Sequence, residues 1–161
     1  MHFVNYNRKN AIEYAKQWAE SRNSVYMNFD GMGGDCTNFA SQCLFAGVNV
    51  MNYQKDVGWY YISPNDRAAA WSGAEYFARF MLNNKAEGPF AVAMSINNLE
   101  AGDFISLNNG TEYYHTLIVT GLSADGTLLV SAHTDDAYMR RLDTYTYHSV
   151  TGIHILGANK Y

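Results

Sequence analysis

Cysteine, proline and charge are all scarce in this sequence of 161 residues. It has two cysteines and two prolines, and charged residues make up 16 % of the chain against 48 % hydrophobic residues. This balance argues against a disordered chain and predicts a single compact domain, residues 1–161, that can bury a hydrophobic core. No apolar run approaches the ~20 residues of a transmembrane helix, so we expect no membrane span.

Basic clusters and a leader pattern are also missing. The net charge is −4, and the longest run among the eleven Lys and Arg residues is Arg140-Arg141. A nucleic-acid partner is therefore not expected, because phosphate binding needs a basic surface. The first ten residues lack the basic-then-apolar pattern of a signal peptide. The protein either acts where it is made or is part of a longer product. Nothing indicates an oligomer, so we expect a monomer.

The two cysteines, Cys36 and Cys43, lie seven residues apart. On one helix this spacing separates them by about 10 Å, beyond the ~7 Å between Cα atoms that a disulfide allows. Both are therefore predicted to be free thiols. Packing as a small hydrophobic residue is reason enough for Cys43.

Helical patterns fill the first half of the chain and strand patterns fill the second. This order predicts an α+β fold in which a helix covers one face of an antiparallel sheet. The predicted helices are residues 10–21, 36–46 (ended by Gly47) and 68–82. The predicted strands are residues 104–107, 114–121, 128–133, 145–147 and 152–156.

Cys36 is the candidate nucleophile. Asp35 is a good N-cap residue, which places Cys36 at the first helical position. There the helix dipole and the free amide groups are expected to lower the thiol pKa, and the same amides can donate to an oxyanion. Gly33 and Gly34 allow a close backbone approach. We therefore select Gly34, Asp35 and Asn38 as candidate substrate or oxyanion contacts.

His115, at the start of a strand, is the candidate base for Cys36. A three-residue loop with Gly126 in the left-handed conformation would pair residue 115 with 135 and residue 117 with 133. His133 and Asp135 would then share the face of His115, and either could orient its ring. A two-residue turn would put them on the opposite face. His133 is the first choice and Asp135 the second. We interpret the other histidines, His2, His148 and His154, as surface or structural groups.

The segment Gly33-Gly-Asp-Cys-Thr-Asn-Phe-Ala-Ser-Gln-Cys-Leu44 resembles the signature of the bacterial putative amidase domain. That family is similar to the NlpC/P60 and CHAP group of papain-like cell-wall hydrolases. Residues 99–105, 115–120 and 131–135 agree with the group's Gly-Asp strand start and its histidine strands. The resemblance implies a papain-like fold, a Cys36–His115 dyad and a polar third residue near His133, and it leaves Asp135 open. It also implies an extracellular or cell-surface location, with the cytoplasm still open.

The expected reaction is hydrolysis of an amide or peptide bond, for example in a peptidoglycan stem peptide, without a cofactor. Aromatic residues such as Trp59 and Tyr114 could line a groove for the substrate, although most aromatics are expected in the core. Two alternatives stay open: a non-catalytic module that binds glycan or peptide, and an acyltransferase or transpeptidase that uses the same dyad. A zinc site is disfavoured, because the Cys and His spacing matches no familiar zinc pattern.

Overall fold

The computed structural model describes all residues from Met1 to Tyr161. It is an α+β structure in which helices pack on an antiparallel sheet, as the sequence predicts. The helices are α1 (Arg8–Trp18), α2 (Cys36–Val48), α3 (Ala69–Ser72) and α4 (Ala74–Asn83). The strands are β1 (His2–Val4), β2 (Tyr61–Ser63), β3 (Asp66–Arg67), β4 (Gly88–Met94), β5 (Phe104–Asn108), β6 (Tyr113–Leu122), β7 (Leu128–Ala132), β8 (Ala137–Arg141) and β9 (Ser149–Lys160). No helix combines the length and the apolar character that crossing a lipid bilayer requires.

The main sheet has seven strands in the order β1-β9-β5-β6-β7-β8, and β4 also pairs with β9. Every pairing is antiparallel. One face carries the larger apolar cluster, in which Phe39 and Leu44 of α2 join Phe104 and Ile118 of the sheet. The opposite face carries a smaller cluster formed by β5, β6, β7 and the segment after β8. Helix α2 therefore lies buried on the sheet, with its first residue near the start of β6.

Several element boundaries differ from the sequence predictions. Helix α2 continues through Gly47 and ends at Asn49, which takes the left-handed conformation with φ 52°. Gly47 instead packs so closely on Tyr6 that an added Cβ would lie 2.3 Å from its ring. The predicted helix over residues 68–82 is divided by the extended Gly73 into α3 and α4. The predicted strand at 145–147 is wrong, because β8 lies earlier in the chain.

The pairing of β6 with β7 departs from the predicted register at one point. Gly121 pairs with Leu129, as the three-residue loop predicts. A β-bulge between Val119 and Gly121 then shifts the pairing by one residue, so that Ile118 lies opposite Ser131. Because side chains alternate along a strand, the one-residue shift moves the β7 side chains beyond the bulge to the face opposite the one that the three-residue loop predicts. His133 accordingly follows the face of Ile118, opposite to that of His115.

Candidate active site

The sequence folds the segment before α2 into a tight loop that presents Cys36. Gly33 and Gly34 both adopt positive φ (94° and 99°), which other residues rarely tolerate. Gly34 also passes close to Thr134, whose hydroxyl accepts a hydrogen bond from the Asp35 amide at 3.3 Å. The loop therefore fixes the start of α2 against the turn between β7 and β8.

The first amide groups of α2 lack the side-chain cap that the sequence predicts. The first intrahelical bond joins the Phe39 amide to the Asp35 carbonyl at 3.0 Å, and no side chain caps the helix. The Asp35 carboxylate turns away and accepts bonds from the Phe29 amide (2.8 Å) and from Asn38 (2.9 Å). Asp35 is the N-cap residue and Cys36 the first residue of α2, as predicted, but the predicted side-chain cap is absent, so the first amides of the helix have no side-chain oxygen as acceptor.

Three donors surround the Cys36 sulfur: the amides of Thr116 and Thr37 and the Thr37 hydroxyl, whose oxygen lies 3.7 Å from it. The Thr37 and Thr116 hydroxyl oxygens are 2.8 Å apart, which ties α2 to β6. Burial nevertheless raises the pKa of the Cys36 thiol, and these hydrogen bonds offset only part of that effect. The expected lowering of the pKa of Cys36 is therefore not found.

Cys36 and His115 line the same cavity, which has a volume of about 320 Å³ and is called the Cys36 cavity below. The ring of His115 lies between two tyrosines, with centroids 6.2 Å from Tyr114 and 5.8 Å from Tyr145. Burial, together with the positive charge of Arg140, lowers the pKa of His115 to about 4. Its imidazole is therefore neutral near pH 7 and able to accept a proton. The full lining is Gly33, Gly34, Cys36, Tyr114, His115, Thr134, Asp135, Arg140, Thr144, Tyr145 and Thr146.

The two candidates for the third residue occupy different places. Asp135 lines the Cys36 cavity, and its negative charge partly counters the lowering of the His115 pKa. His133 is buried behind the helix start, where Nδ1 lies 2.5 Å from an Asp35 oxygen and Nε2 lies 2.7 Å from the Trp18 carbonyl oxygen. No hydrogen bond joins His133 to His115, because the β-bulge puts them on opposite faces.

The remaining predicted contacts also divide between the cavity and the core. Gly34 and Tyr114 line the Cys36 cavity, and Tyr114 is 42 % exposed. Asn38 and Trp59 lie outside it and are fully buried. The side-chain oxygen of Asn38 accepts a hydrogen bond from the Trp71 indole at 2.9 Å, and the Trp59 indole donates to the Ser41 hydroxyl at 3.0 Å. Asn38 and Trp59 therefore stabilise the core around α2.

Sequence reasoning did not select three other groups at the site: Thr37, Arg140 and Tyr145. Arg140 carried a weak signal as part of the longest basic run, but its place in the Cys36 cavity depends on strand β8, where it pairs with Val130 of β7. Cys43 is buried and, like Cys36, is a free thiol, as predicted. No group of three or more His, Cys, Asp or Glu side chains is arranged to hold a metal ion.

Comparison with known proteins shows the family of the chain. Residues 5–156 match the family described as the putative amidase domain. The chain is also 32 % identical over 139 residues to the uncharacterized protein YhbB of Bacillus subtilis (strain 168). That alignment covers 84 % of this chain and 43 % of YhbB, so the chain spans less than half of that relative. No solved structure matches, so the papain-like fold and the NlpC/P60 and CHAP grouping stay predictions. The chain belongs to the putative amidase domain family, whose description indicates amide hydrolysis in general.

Proposed function

We propose that the protein is a cysteine amidase in which Cys36 is the nucleophile and His115 the general base. The observation that carries this proposal is the shared cavity: the Cys36 thiol, at a helix start without a side-chain cap, and the His115 imidazole are both among its lining residues. A thiol and a base that share one cavity, close to free amide donors, form the arrangement that acyl transfer through a thioester requires.

The pKa shifts of both groups favour a neutral resting pair. His115 therefore removes the thiol proton as the Cys36 sulfur attacks the substrate carbonyl, rather than holding a thiolate beforehand. The uncapped amides of α2 donate to the developing oxyanion. His115 then gives its proton to the departing amine, and a water molecule that it activates hydrolyses the thioester. Asp135, whose charge favours the imidazolium, is the proposed third residue.

We propose short peptides as the substrate class, including peptidoglycan stem peptides. A volume of about 320 Å³ lies at the lower end of the range for small-ligand sites, enough for a few residues around one amide bond. The partly exposed Tyr114 offers an aromatic surface at the rim of this cavity. An extracellular location would fit such a substrate and is proposed with it.

The test is amine release from synthetic stem peptides and from purified peptidoglycan, followed by mass spectrometry of the products. Cys36→Ser should reduce turnover at least about a thousandfold, because the weaker hydroxyl nucleophile replaces the thiol. The matched control is Cys43→Ala, which removes the other thiol, fully buried on the same helix, and should keep turnover. Wild-type rates in Cys36→Ser would contradict the mechanism. Substrate binding without any amine release would instead support the binding-module alternative.

A further inference from the structure

Arg140 is the positively charged side chain of the Cys36 cavity, and its guanidinium is held in a fixed orientation. Its Nε donates to the Thr144 hydroxyl at 2.8 Å, and its Nη2 donates to the Thr144 carbonyl at 3.0 Å. The guanidinium carbon lies 3.8 Å from the centroid of the Tyr145 ring. All these partners are neutral, so they orient the cation without neutralising it.

Most other arginines of the protein have a carboxylate within 4.0 Å. Those that do are Arg8, Arg22, Arg79 and Arg141. Arg140 has no such partner, even though Asp135 lines the same cavity, and its Nη1 makes no hydrogen bond. The N–H groups of Arg140 that are not bonded to Thr144 can donate to the two oxygens of a carboxylate. An oriented and unneutralised arginine next to the nucleophile therefore favours an anionic ligand.

We infer that Arg140 selects substrates that carry a free carboxylate close to the scissile amide. The ligand class is a peptide with a terminal or side-chain carboxylate, bound by charge-assisted hydrogen bonds from Arg140. The inference rests on the proposed function, because it assumes that Cys36 is the reacting group. That the charge of Arg140 also affects His115 supports its closeness to the reacting groups.

Alkylation of Cys36 tests this selectivity without knowledge of the scissile bond. Iodoacetate and iodoacetamide differ in one group: iodoacetate carries a carboxylate where iodoacetamide carries a neutral carboxamide. In both reactions the sulfur forms a bond to the reagent carbon, iodide leaves, and the thiol proton passes to the buffer. The ratio of the two second-order rate constants cancels the thiolate fraction, which is the same for both reagents. Mass spectrometry identifies Cys36 as the labelled residue, and N-acetylcysteine gives the reference ratio.

In the wild-type protein, we expect the iodoacetate-to-iodoacetamide ratio to be about tenfold above that of N-acetylcysteine, as one charged hydrogen bond would give. Arg140→Met should return the ratio to the reference value. Arg140→Lys should keep part of the preference, because it retains the charge and loses the planar fork.

The matched control is Arg141→Met, which removes the same charge from the next position of β8. Arg141 pairs with Asp125 and Asp143 (both at 2.8 Å) away from the cavity, so this variant should keep the wild-type ratio. A wild-type ratio equal to that of N-acetylcysteine, or one that Arg140→Met leaves unchanged, would overturn the inference. An equal loss in Arg141→Met would do the same. Failure of Cys36 to react with either reagent would instead contradict the proposed nucleophile, and the inference with it.

Discussion

Burial decides the chemistry of single residues at this site. It raises the pKa of the Cys36 thiol and, together with the Arg140 cation, lowers the pKa of His115 to about 4. A general base acts in its neutral form, so activity should fall as pH drops through the pKa of His115 in the folded protein. We therefore expect the acid limb of kcat/KM near pH 4, well below the usual histidine value of about 6.5. The measurement is kcat/KM against pH on a cleaved peptide, with circular dichroism to confirm folding at each pH.

A substitution of Asp135 gives a second test of this pH profile. Its negative charge favours the imidazolium and so raises the pKa of His115. Asp135→Asn should consequently move the acid limb to lower pH. Asp136→Asn should leave the limb in place, because the Asp136 carboxylate pairs with Arg22 at 2.8 Å. An acid limb at pH 6 to 7 in the wild-type protein would rule out a buried, neutral His115 as the base.

At the scale of elements, one polar cluster joins the loop before α2, the end of α1 and the turn after β7. Asp35 is its centre: burial acts to raise the pKa of its carboxyl, but hydrogen bonds from His133, the Phe29 amide and Asn38 outweigh this and lower it. His133 also stacks on Phe39, with ring centroids 4.0 Å apart. These contacts make His133 a structural partner of the helix start.

His133→Ala should therefore reduce the stability of the fold and leave the acid limb set by His115 unchanged. The variant leaves a buried carboxylate short of a partner and removes a stacked ring, at a cost of about 3 kcal/mol. Urea denaturation would measure this loss, and the exposed His148 supplies the control variant His148→Ala. The acid limb of the folded His133→Ala protein should match that of the wild type. A shifted limb with unchanged stability would instead favour His133 as the orienting residue of the dyad.

Strong local patterns predicted the elements that hold the dyad, and long-range contacts determined the rest. Helix α2 and strand β6 follow from apolar periodicity, and Cys36 and His115 follow from their places on them. Strand β4 was missed because its Gly88-Pro89 start is typical of a turn, and its pairing with β9 is set far along the chain. The β6–β7 bulge has no sequence signal that we recognised, and it separates His133 from His115. The Asp35–His133 contact, which spans 98 positions, was likewise not predictable from local spacing.

At the scale of the whole molecule, Asp103 connects the first helix to both central strands. Its side chain is fully buried at the start of β5. One carboxylate oxygen accepts from Arg8 of α1 at 2.8 Å and from the Ile155 amide of β9 at 3.1 Å. The other lies 2.9 Å from His154 and accepts from the Glu100 amide at 3.0 Å. The Gly-Asp pair singled out in the sequence therefore joins segments from the two ends of the chain.

Asp103→Ala should destabilise the entire fold, because it removes the only carboxylate on which these separate segments converge. The variant leaves the Arg8 side chain, only 22 % exposed, without its buried partner and removes the carboxylate acceptor of the Ile155 amide. Breaking such a pair costs about 3 kcal/mol. Asp125→Ala is the control: it breaks the exposed ion pair with Arg141, which solvent screens, and should cost much less stability than Asp103→Ala. Urea denaturation of both variants measures the difference. Equal stabilities would mean that the Asp103 cluster contributes no net stability and that other contacts hold α1 and β9 together.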